Sequence, residues 1–250
     1  MTSKHSFIAN GTNLLLFVLL SCFKGSLALI ARSILFVTGW HLLDERVFER
    51  LTLNQRVVIV FSHTSYADFW ILSCYLLAYP QRLHCVRTLI KPQVFKYADG
   101  PLRYLGAIPA TRLEDKGHGA VERIITELNS VESFMFLICP KGTILKKEWR
   151  SGYLNIAKGL NCPLMVAGLD YERKQVVASW SYPANSEEKE LVQALQTELS
   201  RIVPLYPERE ICSIRRHNPN LRGVINLEWF LLLCVGCAMF YSVLRDCHLV

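Results

Sequence analysis

The sequence lacks the patterns by which several common classes of protein are recognised. It has no Gly-x-Ser-x-Gly sequence, the signature of a hydrolase serine at a strand-to-helix turn. It has no Lys/Arg run or aromatic-basic stripe of the kind that binds DNA or RNA. Internal repeats and low-complexity segments are absent as well. These absences argue against a serine hydrolase and against nucleic acid as a partner.

The nine cysteines show no spacing typical of a disulfide framework. Their number is odd, and Cys74, Cys139 and Cys234 lie inside apolar runs, so we expect reduced thiols in a reducing compartment. Cys234 and Cys237 are three residues apart within an apolar helix candidate. We interpret them as packing residues, and we predict neither a metal site nor a bound cofactor.

No uninterrupted apolar run reaches the about 20 residues that a helix needs to span a bilayer. Residues 14–40 are apolar, but Lys24 and Gly25 interrupt them. We predict membrane-associated helices over residues 1–40, lying in the interface; a signal peptide cleaved after Ala28 is the alternative. Over residues 211–250 we predict a basic connector and a C-terminal transmembrane segment. A helix packed on the domain or lying in the interface is the alternative there.

The charge of the chain favours an anionic partner. The net charge is +7 and the mean hydropathy is positive, which together suggest attraction to anionic lipid headgroups or anionic substrates. Basic residues precede the C-terminal apolar segment, so the positive-inside tendency places the main domain on the cytoplasmic side of a membrane.

Residues 41–210 form the predicted main domain, in which strand-like and helix-like segments alternate. The strand-like runs are mostly continuous and apolar, as in strands buried on both faces. Val121, Ile124 and Leu128 recur at helical spacing, and a later helix is predicted to begin at Asn185. The alternation predicts an α/β fold, a mixed sheet flanked by helices. The predicted strands are residues 57–61, 83–90, 133–139, 164–169 and 175–179.

His63 and Asp68 occupy a predicted strand-to-helix turn. There a strand-end imidazole can meet a first-turn carboxylate, which would fix its tautomer and stabilise its protonated form. Such a pair can act as a general base on a substrate that brings its own hydroxyl. The alternative is purely structural, with Ser65 as N-cap and Asp68 stabilising the start of the helix.

Two further polar clusters follow strand-like segments, at intervals that could return them to the same sheet edge. Arg112 ends the first, as a phosphate ligand or in a surface ion pair. The second is Lys141, Gly142 and Thr143, which form either an ordinary turn or a loop that offers a cation and backbone N–H groups to an anion.

Four blocks of the sequence, in order, resemble the glycerophospholipid acyltransferase family, which includes the lysophosphatidic acid acyltransferases. The resemblance covers residues 41–180, and Lys91 fits the approach to the second block. The family's third block is usually Pro-Glu-Gly-Thr-Arg, so Lys141 and Ile144 depart from it. The four blocks are His63-x4-Asp68 and residues 106–112, 139–143 and 162–167.

The resemblance implies a membrane-bound O-acyltransferase similar to 1-acylglycerol-3-phosphate acyltransferases. Acyl-CoA or acyl-carrier protein would be the donor, and a lysophospholipid or glycerol phosphate the acceptor. His63 would act as the general base and Asp68 would orient it. Substrate-binding roles would fall to Lys91, Arg112, Lys141, Gly142 and Thr143. A transacylase that uses a phospholipid donor and a catalytically degenerate lipid-binding protein are the alternatives.

Overall fold

A six-stranded sheet lies between two layers of helices in the computed structural model of the chain, which describes residues 24–52, 56–80, 84–110, 119–142 and 148–210. The strands are β1 Arg56–Phe61, β2 Val86–Ile90, β3 Ala107–Pro109, β4 Phe134–Ile138, β5 Leu164–Asp170 and β6 Gln175–Ala178. The helices are α1 (residues 24–37), α2 Glu45–Thr52, α3 Tyr66–Ala78, α4 Pro92–Tyr104, α5 Ala120–Asn129, α6 Gly152–Leu160 and α7 Glu188–Ser200.

The strand order across the sheet is β3-β2-β4-β1-β5-β6. The first five strands in this order are parallel, and β6 is antiparallel to β5. The predicted mixed α/β sheet is therefore confirmed. Because the parallel strands share one direction, their carboxyl ends lie along one edge of the sheet, where ligands bind in open α/β sheets.

Side chains of the central strand alternate between two hydrophobic cores. Val57 and Ile59 pack in the core that α1 and α3 cover, whereas Val58 and Val60 pack in the core of α5, α6 and α7. Both faces of β1 are thus buried, which explains why its sequence is a continuous apolar run rather than an alternating one. The same holds for β4 and β5, whose residues are all buried.

Helix α7 begins later than the sequence predicted. The predicted start was Asn185, but the helix begins at Glu188, with Glu187 as N-cap. The Glu187 carboxylate accepts a hydrogen bond from the Glu190 N–H at 2.9 Å. Asn185 lies instead in a turn closed by the Ser186 N–H, which donates to the Pro183 carbonyl at 3.2 Å. The start at Asn185 was therefore wrong.

The predicted membrane segments fall largely outside the described residues. This applies to residues 1–23 and to the whole of residues 211–250, including the C-terminal transmembrane segment. Within the five described ranges, no helix combines the length and the apolar character needed to cross a bilayer. Helix α1 is described from residue 24 onward, and it buries Ala31 and Leu35 in the core while Phe36 and Val37 are exposed.

Candidate active site

Two of the three polar clusters predicted from the sequence follow carboxyl ends of parallel strands, and so does Lys91. His63 follows β1, Lys141 follows β4, and Lys91 follows β2 directly. Since β2, β4 and β1 are neighbours, His63, Lys91 and Lys141 lie at one edge of the sheet, as predicted for His63 and Lys141. Arg112 and Thr143 lie outside the described residues.

His63 and Asp68 are in contact. The His63 Nδ1 lies 3.1 Å from the Asp68 Oδ2, and the side chains are 29% and 4% exposed, respectively. The imidazole is thus open to solvent on one side, while the carboxylate behind it is sealed. With the Nδ1 proton directed at Asp68, the Nε2 atom holds the lone pair that can accept a proton from a substrate.

The same carboxylate closes the N-terminus of α3. Ser65 is the N-cap, and its hydroxyl accepts a hydrogen bond from the Ala67 N–H at 3.0 Å. The Asp68 Oδ2 accepts from the N–H groups of Thr64 at 2.8 Å and Ser65 at 2.9 Å. This is a capping box in which aspartate occupies the third helical position. The capping interpretation and the contact with His63 therefore hold together, and the cap fixes where the carboxylate lies.

Tyr171 is a member of the site that the sequence did not reveal. Its hydroxyl donates to the Asp68 Oδ1 at 2.7 Å, so both carboxylate oxygens are engaged. Burial raises the pKa of Tyr171, and the adjacent Asp68 charge raises it further, so the phenol keeps its proton and remains a donor. The sequence did offer one indication of it: Tyr171 directly follows an apolar run, which forms the buried strand β5. The carboxyl end of β5 lies beside that of β1.

Lys141 is placed differently from an open phosphate ligand. Its side chain is 1% exposed, and its ammonium donates to the Arg209 carbonyl at 3.0 Å and lies 3.2 Å from the Glu210 Oε2. The next residue, Gly142, has a positive φ of 66° and donates its N–H to the Cys139 carbonyl at 3.0 Å. The described part of this loop is therefore a closed turn, with its cation directed inward.

Lys91 and Cys139 are two other described residues near these strand ends. Lys91 is the N-cap of α4, makes no side-chain capping hydrogen bond and is exposed. Cys139 lies beside the Lys141 turn, and burial raises the pKa of its thiol although the Lys141 charge acts in the opposite direction. Because the thiolate is the nucleophilic form, this shift makes the Cys139 thiol a weaker nucleophile than an exposed cysteine.

The geometry so far describes a histidine with an oriented carboxylate, at the edge of an α/β sheet where ligands bind. An acyltransferase family model matches residues 43–168, just over half of the chain and the part that contains His63, Asp68, Lys91, Lys141 and Gly142. Comparisons with curated proteins and with solved structures give no significant match. The chain belongs to the acyltransferase family, the glycerophospholipid acyltransferases that its sequence blocks resemble.

Proposed function

We propose that the protein transfers a fatty acyl group from acyl-CoA or acyl-carrier protein to a hydroxyl of a lysophospholipid or glycerol phosphate, as 1-acylglycerol-3-phosphate acyltransferases do. Membership of the family supports acyl transfer to a lipid substrate. The observation on which the mechanism depends is the contact of a half-open His63 imidazole with a buried, fully engaged Asp68 carboxylate.

In the proposed reaction, the His63 Nε2 removes the proton from the acceptor hydroxyl as its oxygen attacks the thioester carbonyl carbon. Asp68 holds the imidazole in the required tautomer and stabilises the imidazolium. The tetrahedral intermediate collapses, the carbon–sulfur bond breaks, and the leaving thiolate takes the proton from His63. A thioester is already activated, so positioning and one base supply most of what the reaction needs.

We assign the acceptor phosphate to Lys91, Arg112 and Thr143, with Gly142 forming the turn that leads to Thr143. The exposed Lys91 ammonium follows β2 at the same edge as His63, which supports its part in this assignment. Arginine suits such a site because its guanidinium matches phosphate oxygens. Lys141 begins the same loop, but its ammonium is engaged by Glu210.

We propose that the reaction takes place at a membrane, with the main domain on the cytoplasmic side. Helix α1 supports interfacial binding, because it packs on the domain through Ala31 and Leu35 while Leu29, Phe36 and Val37 are 67%, 81% and 83% exposed. The net charge of +7 favours anionic lipids. Residues 211–250 are the proposed transmembrane anchor.

The direct test is acyl transfer by membranes that contain the full chain. Labelled acyl-CoA is supplied with a panel of lysophospholipids and glycerol 3-phosphate, and His63→Ala is compared with His84→Ala. His84 precedes β2, so it lies at the opposite edge of the sheet and serves as the matched control. We expect His63→Ala to lower kcat by about 10²–10⁴-fold, the usual contribution of a general base, and His84→Ala to leave it unchanged.

Equal incorporation by the wild type and by His63→Ala would remove the proposed mechanism. No incorporation by the wild type with any acceptor would indicate the degenerate lipid-binding alternative. The donor is decided by depleting the membranes of CoA and supplying labelled phospholipid: transfer that persists identifies a transacylase, and transfer that stops identifies the thioester donor.

A further inference from the structure

A buried polar network joins the turn that contains His63 to residues 206–210. Lys141 and Glu210 form an ion pair whose side chains are 1% and 2% exposed. The same Glu210 Oε2 accepts a hydrogen bond from the Ser62 hydroxyl at 2.9 Å. Ser62 directly precedes His63, so the ion pair is linked through one hydrogen bond to the residue next to the proposed base.

The other neighbour of His63 is held by the same segment. The Arg209 guanidinium donates to the Thr64 carbonyl at 2.9 Å and stacks 4.1 Å from the centre of the Tyr206 ring. The Tyr206 N–H donates to the Thr64 hydroxyl at 3.4 Å. Residues 62 and 64 are therefore both bonded to residues 206–210, while the imidazole of residue 63 between them stays partly open.

The hydrogen bonds to residues 206–210 depend on both members of the Lys141–Glu210 ion pair. A lysine ammonium that is 99% buried is strongly destabilised if its counter-charge is removed, and the same is true of the carboxylate. The Lys141 ammonium also donates to the Arg209 carbonyl at 3.0 Å, so it contacts both Arg209 and Glu210. Loss of either charge therefore releases the segment that holds Ser62 and Thr64.

We propose that Lys141 and Glu210 are positioning residues: their ion pair fixes residues 206–210 against the β1–α3 turn and so holds His63 on Asp68. Glu210 lies beyond the residues that the family model matches, so the active site is completed by a segment outside the family region. The kinetic part of this inference rests on the proposed function, whereas the structural part does not.

The test compares Lys141→Met and Glu210→Gln with Lys158→Met and Glu188→Gln in the full chain. Lys158 and Glu188 form an exposed ion pair, 43% and 56% accessible, and serve as matched controls. In the acyl-transfer assay we expect Lys141→Met and Glu210→Gln each to lower kcat by about 10–100-fold, because a displaced base is costly, while KM for the acceptor stays within about twofold. The control variants should behave as the wild type.

The opposite kinetic pattern would overturn the proposal. If Lys141 binds the acceptor phosphate directly, Lys141→Met raises the acceptor KM with kcat unchanged, and Glu210→Gln leaves KM unchanged or lowers it by freeing the lysine. A variant pair that matches the controls in both constants also overturns it.

Hydrogen exchange gives a readout that needs no activity. The Thr64 and Ser65 N–H groups are bonded to Asp68, so their exchange reports the order of the turn. We expect faster exchange at these amides in Glu210→Gln and not in Glu188→Gln; equal rates would overturn the proposal. If Glu210→Gln does not fold, Ser62→Ala removes one link of the network and should show the same change. Faster exchange in a protein that transfers no acyl group would support the positioning role and reject the proposed function.

Discussion

Asp68 receives contacts on both of its oxygens, from His63, from two backbone N–H groups and from the Tyr171 hydroxyl. All of these groups can donate, which suits a carboxylate that is itself almost fully buried. A carboxylate held in this way cannot rotate away from the imidazole without losing hydrogen bonds. The precision of the His63–Asp68 contact therefore depends on a residue, Tyr171, that is remote in sequence.

Replacing Tyr171 by phenylalanine removes one donor and keeps the aromatic packing against Trp40. We expect the free energy of unfolding to fall by about 1.5–3 kcal/mol, since the lost hydrogen bond is to a charged group in a buried site. We also expect kcat to fall, by less than the about 10²–10⁴-fold expected for His63→Ala. Urea unfolding and steady-state kinetics measure the two effects.

Tyr182→Phe is the control for this change, because the Tyr182 hydroxyl contacts Glu198 at 3.4 Å on a partly exposed surface. It should leave both quantities nearly unchanged. If Tyr171→Phe and Tyr182→Phe gave equal stabilities and equal kcat values, Tyr171 would have no part in orienting Asp68.

At this scale the sequence reveals only the local members of the site. His63 and Asp68 could be paired because a strand-to-helix turn brings residues five apart together. The contact of Tyr171 with Asp68 could not be predicted, because the two residues are 103 apart in sequence. The same is true of Glu210 and Ser62, which are 148 apart. For Lys141 the sequence predicted a positive charge near the acceptor, but only the fold shows that Glu210 engages it.

At the scale of elements, Gly106 determines how β3 joins the sheet. It lies between α4 and β3 with φ +77°, and a Cβ added there would be 2.0 Å from the Val86 carbonyl oxygen. Its own carbonyl accepts from the Thr88 N–H at 3.1 Å, continuing the pairing of β2 with β3. The second family block begins at this glycine, so its position fixes the start of that block.

We expect Gly106→Ala to lower the free energy of unfolding by more than the about 1–3 kcal/mol that a left-handed conformation costs a non-glycine residue, because the backbone clash adds to it. Gly152→Ala is the control, since an added Cβ there meets no atom within 4 Å. It should change stability by no more than about 1 kcal/mol. Chemical unfolding of both variants decides; equal stabilities would show that the β2–β3 junction accommodates a side chain.

Strands buried on both faces were predicted well, and elements defined by polar contacts were not. The strand predicted over residues 83–90 began three residues too early, since β2 starts at Val86, and the short edge strand β3 was not predicted. The apolar runs of β1, β4 and β5 gave strands within one or two residues of the observed ends, because burial on both faces leaves only apolar residues. Helix α5 followed from the spacing of Val121, Ile124 and Leu128. The start of α7 was missed because Glu187, a residue less common as an N-cap, closes that helix.

At the scale of the whole molecule, buried acidic groups link stability to alkaline pH. Burial is the largest cause of the raised pKa of Tyr75, Tyr153 and Tyr171, each from an ordinary value of 10.0. Burial also raises the pKa of Cys162 from 9.0 to about 11. The unfolded chain therefore loses these protons at a lower pH than the folded protein does. The stability from these groups is complete below about pH 9, and it is lost as the pH rises toward their folded values.

We expect the free energy of unfolding to fall as the pH rises above 10, with a slope that approaches about 1.4 kcal/mol per pH unit for each buried tyrosine once its unfolded phenol is ionised. Tyr153→Phe removes one such group and keeps the ring contact with Trp149, so the slope should decrease by about that amount. Urea unfolding at several pH values between 9 and 12 measures both slopes. A slope that is the same in the wild type and in Tyr153→Phe would contradict the assignment.

The fold class and the family followed from the whole sequence more readily than the site did. Alternation of apolar strands with helices predicted the mixed sheet, and the ordered blocks indicated the family that the family model confirms. The order of the strands, with β4 between β2 and β1, has no local signal because crossover connections depend on packing over long separations.

The long separation between Ser62 and Glu210 also sets the earliest time during synthesis at which the hydrogen bond between them can form. A nascent chain grows at about 5–20 residues per second, so roughly 7–30 s pass between the two residues. Until Glu210 emerges, Lys141 lacks its partner in the folded protein, and the turn that contains His63 lacks its hydrogen bonds to residues 206–210. If the ion pair positions His63 as proposed, a ribosome-bound chain that already holds the whole family region transfers acyl groups more slowly than the finished chain.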